Sequence, residues 1–127
     1  MPYTIKYNDD EGIVSVIYSG VVTDDDLLNS LKEKTSSLEI VKNCKFSIND
    51  FTEATGFEAT PKVMREMSLT SIELSKISSQ IMPIIIAPKD IEFGMFRMWL
   101  AYIDRTKGDA RIVRSYKEAL DLMNEKI

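Results

Sequence analysis

Histidine is absent from all 127 residues, so any chemistry must come from carboxylates, lysine, cysteine or a bound cofactor. That removes Ser-His-Asp and Cys-His catalysis, most zinc sites, and the side chain that most readily moves protons near neutral pH. The acids cluster in three places. Asp9-Asp10-Glu11 precedes Gly12, and a solvated hairpin tip accounts for this run better than a cation site. Asp24-Asp25-Asp26 follows Thr23. Successive helical residues fan out by about 100° each, so these three cannot converge on one ion, whereas first-turn carboxylates favour the positive end of a helix dipole. Asp50 follows the short run Cys44–Ile48, and the carboxyl end of a parallel strand is where α/β folds place ligands. Capping of a turn by Asn49 and Asp50 is the plainer role. Cys44 has no base beside it and reads as an inert structural thiol. No G-x-G-x-x-G or Walker sequence offers a phosphate cradle. One enzymatic arrangement is left, Asp50 and Arg97 facing a common cleft; for Arg97 a surface or helix-end salt bridge is plainer. The sequence therefore predicts no catalytic residue, no metal and no cofactor.

The totals fit one domain over residues 1–127, with an apolar fraction of 44% and a charged fraction of 28% that are ordinary for a globular chain. The net charge is −4 and the cations are scattered, which argues against nucleic acid. No apolar run approaches the ~20 residues of a membrane span, and MPYTIKYNDD lacks the pattern of a signal peptide. Cys44 is alone, so no internal disulfide forms and a cytoplasmic location is expected.

The elements follow from periodicity. Tyr3–Tyr7 alternates as a half-buried strand, and Ile13–Ser19 is a second strand joined to it by a hairpin. Thr23 caps a helix carrying Leu27, Leu28, Leu31 and Leu38. Cys44–Ile48 is a third strand, and Phe51–Ala59 reads as a loop. Thr60-Pro61 starts a helix with Val63, Met67, Leu74 and Ile77 along one face. Ile81–Ala87 has no polar face, so both sides of this strand are expected to be covered. Asp90 is expected to cap the next helix, which ends near Lys107-Gly108. Within it Phe96, Trp99, Leu100 and Ile103 form one apolar stripe, and Met95, Met98 and Tyr102 form a second beside it. Together they span roughly 220° of the circumference, beyond the ~100° a core-facing stripe requires. Ala110–Arg114 is a last strand, and Ser115 with Glu118 opens the final helix as a capping box. The order is ββαβαβαβα.

With Gly94-Met95-Phe96-Arg97 and Tyr116-Lys117-Glu118-Ala119-Leu120 as they stand, the chain resembles the small bacterial SpoIIAA-like proteins, also described as STAS-like or CRAL-TRIO-like. The resemblance implies an α/β fold, a β-α superhelix with a four- to five-stranded, mostly parallel sheet and helices mainly on one side. STAS anti-sigma-factor antagonists bind a partner kinase and are switched by phosphorylating a serine in an Asp-Ser-Ser-Gly loop. The comparable segment here, Asp50–Phe57, has Thr52 and Thr55-Gly56 but no Ser-Ser-Gly, which leaves Asp50, Thr52, Thr55 and Gly56 as a candidate regulatory loop. CRAL-TRIO relatives instead enclose an apolar ligand.

The leading expectation is a non-enzymatic regulatory or protein-binding module, a homodimer acting through Met95, Met98 and Tyr102 with Trp99 and Arg97 beside them. The rival expectation is a carrier of a small apolar or acyl ligand held next to the same helix.

Overall fold

Two strands open the chain, Tyr3–Asn8 (β1) and Ile13–Val22 (β2), paired antiparallel from Tyr3↔Tyr18 to Asn8↔Ile13. Gly12 turns the corner at φ 67°, a conformation open to glycine at no steric cost. The helix Asp24–Lys34 (α1) follows, then Phe46–Phe57 (β3), Pro61–Ile77 (α2), Met82–Ile86 (β4), Asp90–Lys107 (α3), Arg111–Val113 (β5) and Tyr116–Glu125 (α4). This computed structural model describes residues 2–36, 42–77, 80–107 and 110–125, without the side chains of 74, 75, 77 and 104–107. The expectations for Leu38, Gly108 and the side chains of Leu74 and Ile77 lie outside that set.

The sheet order is β1-β2-β3-β4-β5, with only β1–β2 antiparallel. Parallel neighbours need a crossover, and the helices α1, α2 and α3 supply the three. All three pack on one face, where Leu27, Leu31, Val63, Met64, Phe96 and Ile103 meet Val16, Tyr18, Phe51 and Ile85. On the other face α4 contributes Ala119 and Met123 against Phe46, Ile48, Ile84 and Ile86. All five residues of β4 are buried because both faces are covered, as the unbroken apolar run requires. The element order is as the periodicity predicts, and the mostly parallel sheet with helices mainly on one side is as the resemblance implies.

The expected loop after the third strand is corrected. The segment 51–59, expected as a loop, continues β3 as far as Phe57, because β2 also runs on to Val22 and pairs with it. The register shifts twice, between Ile17 and Ser19 and between Gly20 and Val21. Those shifts break strict alternation: Phe51, Ala54 and Phe57 face the core at a spacing of three, and Thr52, Glu53 and Thr55 are exposed. A spacing of three does not read as a strand. Gly20 takes φ 70° at the irregularity, and a Cβ on Gly56 would come within 3.3 Å of Val21 Cγ2.

Local signals hold most helix starts. Thr23 and Asp26 form a reciprocal capping box on α1. Thr60 Oγ1 accepts from the Val63 amide, and Asp24 accepts from both the amide and the hydroxyl of Thr60, tying α1 to the start of α2. Ser115 accepts from the Glu118 amide at the start of α4. At α3 the roles differ from expectation: Asp90 is already helical and pairs with Arg114, and Glu92 reaches back to the Lys89 amide. Tyr18 Oη and Ser30 Oγ lie 2.6 Å apart in the core. Ser30 donates its own hydrogen to Leu27 O, so Tyr18 is the donor and anchors α1 to β2.

Phe51, fully buried, stacks on Tyr18 at 4.4 Å between centroids and meets Phe96 at 5.1 Å and Phe57 at 5.7 Å. Truncating a buried phenylalanine costs about 3–5 kcal/mol, a large part of the ~5–15 kcal/mol that holds a domain together. Phe51→Ala is expected to lose that much in urea unfolding. A loss below about 1 kcal/mol would show that the aromatic cluster is not central.

Candidate functional site

β3 turns alternate side chains to opposite faces, so Ser47, Asn49 and Phe51 look toward α1, α2 and α3 while Phe46 and Ile48 look toward α4. Because β3 is an inner strand covered on both faces, Ser47 and Asn49 are buried, at 6% and 7% exposure. Buried polar groups need partners, and Lys34, in the last turn of α1, supplies one to both. Its Nζ donates to Ser47 Oγ at 3.0 Å and to Asn49 Oδ1 at 3.5 Å, the second bond being the weaker.

These residues border a cleft between the sheet and the three helices, at the amino ends of β2, β3 and β4. The cleft holds about 650 Å³ of space between atoms, its open mouth included. Leu31, Met67, Ile81, Pro83 and Ile85 give it apolar walls, and Thr35 and Ser71 add hydroxyls. Trp99 also lines it. The indole is 3% exposed, and its Nε1 is buried with no hydrogen-bond partner among the described residues. Cys44 borders the cleft as well, its thiol donating to Phe46 O at 3.0 Å.

The residues singled out from sequence are spread widely. Of the α3 set, Trp99 is buried and lines the cleft, Met95 packs half-buried against the core, Met98 is half-buried, and Tyr102 and Arg97 are exposed. Asp50 alternates with Ile48 and so falls on the α4 side, where its Oδ1 accepts from the amide and hydroxyl of Thr52. Arg97 belongs to α3 on the other side, so Asp50 and Arg97 face no common cleft. Thr52, Thr55 and Gly56 lie in β3 and not in a loop. Lys34 and Ser47 were not singled out from sequence, and Asn49, expected to cap a turn with Asp50, is instead a buried residue inside β3. The signal was there in the alternation of Phe46, Ser47, Ile48 and Asn49, which looks like a half-solvated strand until the strand order shows both faces covered.

No protein-family model matches the chain, and no curated protein does. Its architecture is similar to the crystal structure of an uncharacterised DUF3478-family protein from Shewanella loihica PV-4, described as having a SpoIIAA-like fold. The TM-score is 0.55 at 14% identity, over 95% of this chain and 91% of that one. The fold of this chain is SpoIIAA-like. No helix among the described residues is long and apolar enough to cross a membrane.

At the opposite, carboxyl end of the strands sits a second buried polar group. Glu92 is fully buried; its Oε1 accepts from the Lys89 amide at 3.3 Å, and Oε2 has no partner among the described residues. Lys89 Nζ donates to Ala54 O, and the Arg114 guanidinium lies 3.9 Å over the Phe93 ring. Burial pushes the Glu92 carboxyl pKa up, opposed in part by the Lys89 amide and the Lys89 charge. The folded state thus holds this proton more tightly than the unfolded chain does. The resulting stability is complete below the ordinary glutamate pKa and is lost as pH rises through the raised folded value. Glu92→Gln keeps an oxygen for the Lys89 amide and removes the charge. Its melting temperature relative to wild type is therefore expected to be more favourable at pH 7 than at about pH 4. An equal difference at both pH values would show that Glu92 is not held against its charge.

Proposed function

We propose that this chain is a non-catalytic binding module whose outer α3 face docks onto a protein surface, a second copy of the chain first of all. The observation that supports this reading is the make-up of that face. Ile91 and Tyr102 are 56% and 45% exposed, Met98 is half-buried, and the exposed Gly94 and Ala101 lie between them. At about 100° per residue these five fall within roughly a third of the helix circumference, and none of the five carries a charge, although Arg105 falls on the same arc toward the carboxyl end of the helix. Small residues between large apolar ones let a second helix approach closely, and two copies of such a face are complementary to each other.

Five of the acids are already engaged in structural bonds, which supports a non-catalytic role. Asp24 holds Thr60, Asp26 holds Thr23, Asp50 holds Thr52, Asp90 holds Arg114, and Glu33 accepts from Tyr3. The phospho-switch has weaker support, because the Thr52 hydroxyl already donates to Asp50 and its segment is paired in the sheet. A second reading, a carrier of a small ligand beside α3, is favoured by one observation: Trp99 of that helix lines the cleft.

Sedimentation velocity tests the docking face. The wild-type chain is expected to be a dimer at micromolar concentration, and Ala101→Glu, at an exposed position, is expected to raise the dissociation constant tenfold or more, about 1.4 kcal/mol. Met98→Glu should act in the same direction. A wild-type monomer, or a dimer indifferent to both changes, removes the self-association reading.

A further inference from the structure

We infer that the free edge of β1 is an interaction surface that takes the β1 edge of a second copy, antiparallel and centred on Ile5. The inference does not depend on the α3 reading and involves a different part of the fold.

The backbone fixes which groups are on offer. In an antiparallel ladder, residue pairs that exchange both hydrogen bonds alternate with pairs that exchange none. The Ser19 amide donates to Pro2 O at 2.8 Å, so Pro2 and Ser19 form a bonded pair that continues the β1–β2 register by one residue. Thr4↔Ile17, Lys6↔Ser15 and Asn8↔Ile13 are then the bonded pairs of the ladder. Tyr3, Ile5 and Tyr7 fall between them, and their N–H and C=O groups point away from β2. β1 is the end strand of the sheet, so no other strand among the described residues takes those groups up.

This edge lacks the protection that sheet edges usually carry, which is shortness, proline, a bulge or dense charge. The opposite edge, β5, is three residues long. β1 has six residues, none of them proline, in an unbroken register with Lys6 as its one charge.

The occupant follows from the spacing. The outward residues recur at every second position and lie symmetrically about Ile5. A two-fold axis that sets Ile5 against Ile5 therefore sets Tyr3 against Tyr7 at both ends. Every outward residue of one copy then meets an outward residue of the other, and each such pair exchanges two hydrogen bonds. A slip of two residues leaves fewer of these pairs within the strands, and a slip of one sets outward groups against inward ones. The side chains suit the same register. Tyr7, 43% exposed, lies across from the half-buried Tyr3 of the second copy, an aromatic cross-strand pair. Lys6 faces Thr4 of the second copy, so no like charges stand directly opposite.

Amide hydrogen exchange, read residue by residue, tests the pairing in the wild-type chain and in Ala101→Glu. Because a short ladder is a small and weak interface, concentrations of about 50 µM and about 1 mM are compared. In both chains the Tyr3, Ile5 and Tyr7 amides are expected to exchange severalfold more slowly at the higher concentration. The Thr4 and Lys6 amides, already bonded to β2, are expected to stay as they are. Tyr7→Pro removes an outward amide that β2 does not use, and Tyr7→Ala removes the same ring but keeps the amide. The concentration-dependent protection of Tyr3 and Ile5 is expected to vanish in Tyr7→Pro and to persist in Tyr7→Ala. Unprotected exchange of all three amides at both concentrations overturns the inference, leaving the edge to a strand of a different protein and the α3 reading untouched. Equal loss in the two Tyr7 variants overturns the backbone ladder as the cause. Should Tyr7→Pro fail to fold, the alternation of protection along β1 in the wild-type chain decides the matter alone.

Discussion

Much of the architecture depends on which side chains β3 turns toward its helices. The inward series runs Ser47, Asn49, Phe51, polar at the amino end and aromatic at the carboxyl end. At the aromatic end Phe51 lies between Tyr18 and Phe96, so β2, β3 and α3 are fixed to one another through a single ring. At the polar end no bulky side chain fills the gap, and Lys34 crosses from α1 to satisfy what β3 presents. The cleft exists because the sheet stops being aromatic halfway along an inner strand. Either all-apolar or all-polar residues at these three positions would give a different interface, filled in the first case and unstable in the second.

α3 carries three surfaces at once. Phe96, Trp99 and Ile103 seal the core, Met95, Phe93 and Leu100 pack beside them, and Gly94 and Ala101 lie outside. The wide apolar arc of the sequence is therefore shared between packing within the fold and the exposed pair Ile91 and Tyr102. Trp99 sits where these uses meet, sealing the core with its ring and bordering the cleft.

What was legible in the sequence was local. The hairpin announces itself through the glycine at its turn, β4 through an unbroken apolar run, and the caps at Thr23, Thr60 and Ser115 through residue type and spacing. What escaped depends on neighbours distant in sequence. The outer half of β3 is a strand only because β2 runs beside it with two register shifts, and a spacing of three carries no period that a single strand would show. Ser47 and Asn49 are buried only because β2 and β4 flank β3 and helices cover both its faces. At the start of α3 it is Glu92 that accepts from the Lys89 amide, while Asp90 is the first helical residue and pairs with Arg114, far along the chain.

The completeness of β4's burial has a consequence while the chain is still being made. Ile81 to Ile86 is an uncharged, strand-forming segment with no polar face, the composition from which intermolecular cross-β stacks are built. Until β3 and β5 flank it and α4 closes over it, that segment is adhesive. Pro83, one residue inside its leading end, lacks the amide that an incoming foreign strand would pair with. In the finished sheet the same residue sits opposite Ser47 on the cleft side, where the loss of one ladder bond is tolerated. A proline there is the kind of residue that interrupts cross-strand stacking, and in the folded sheet it removes one amide donor.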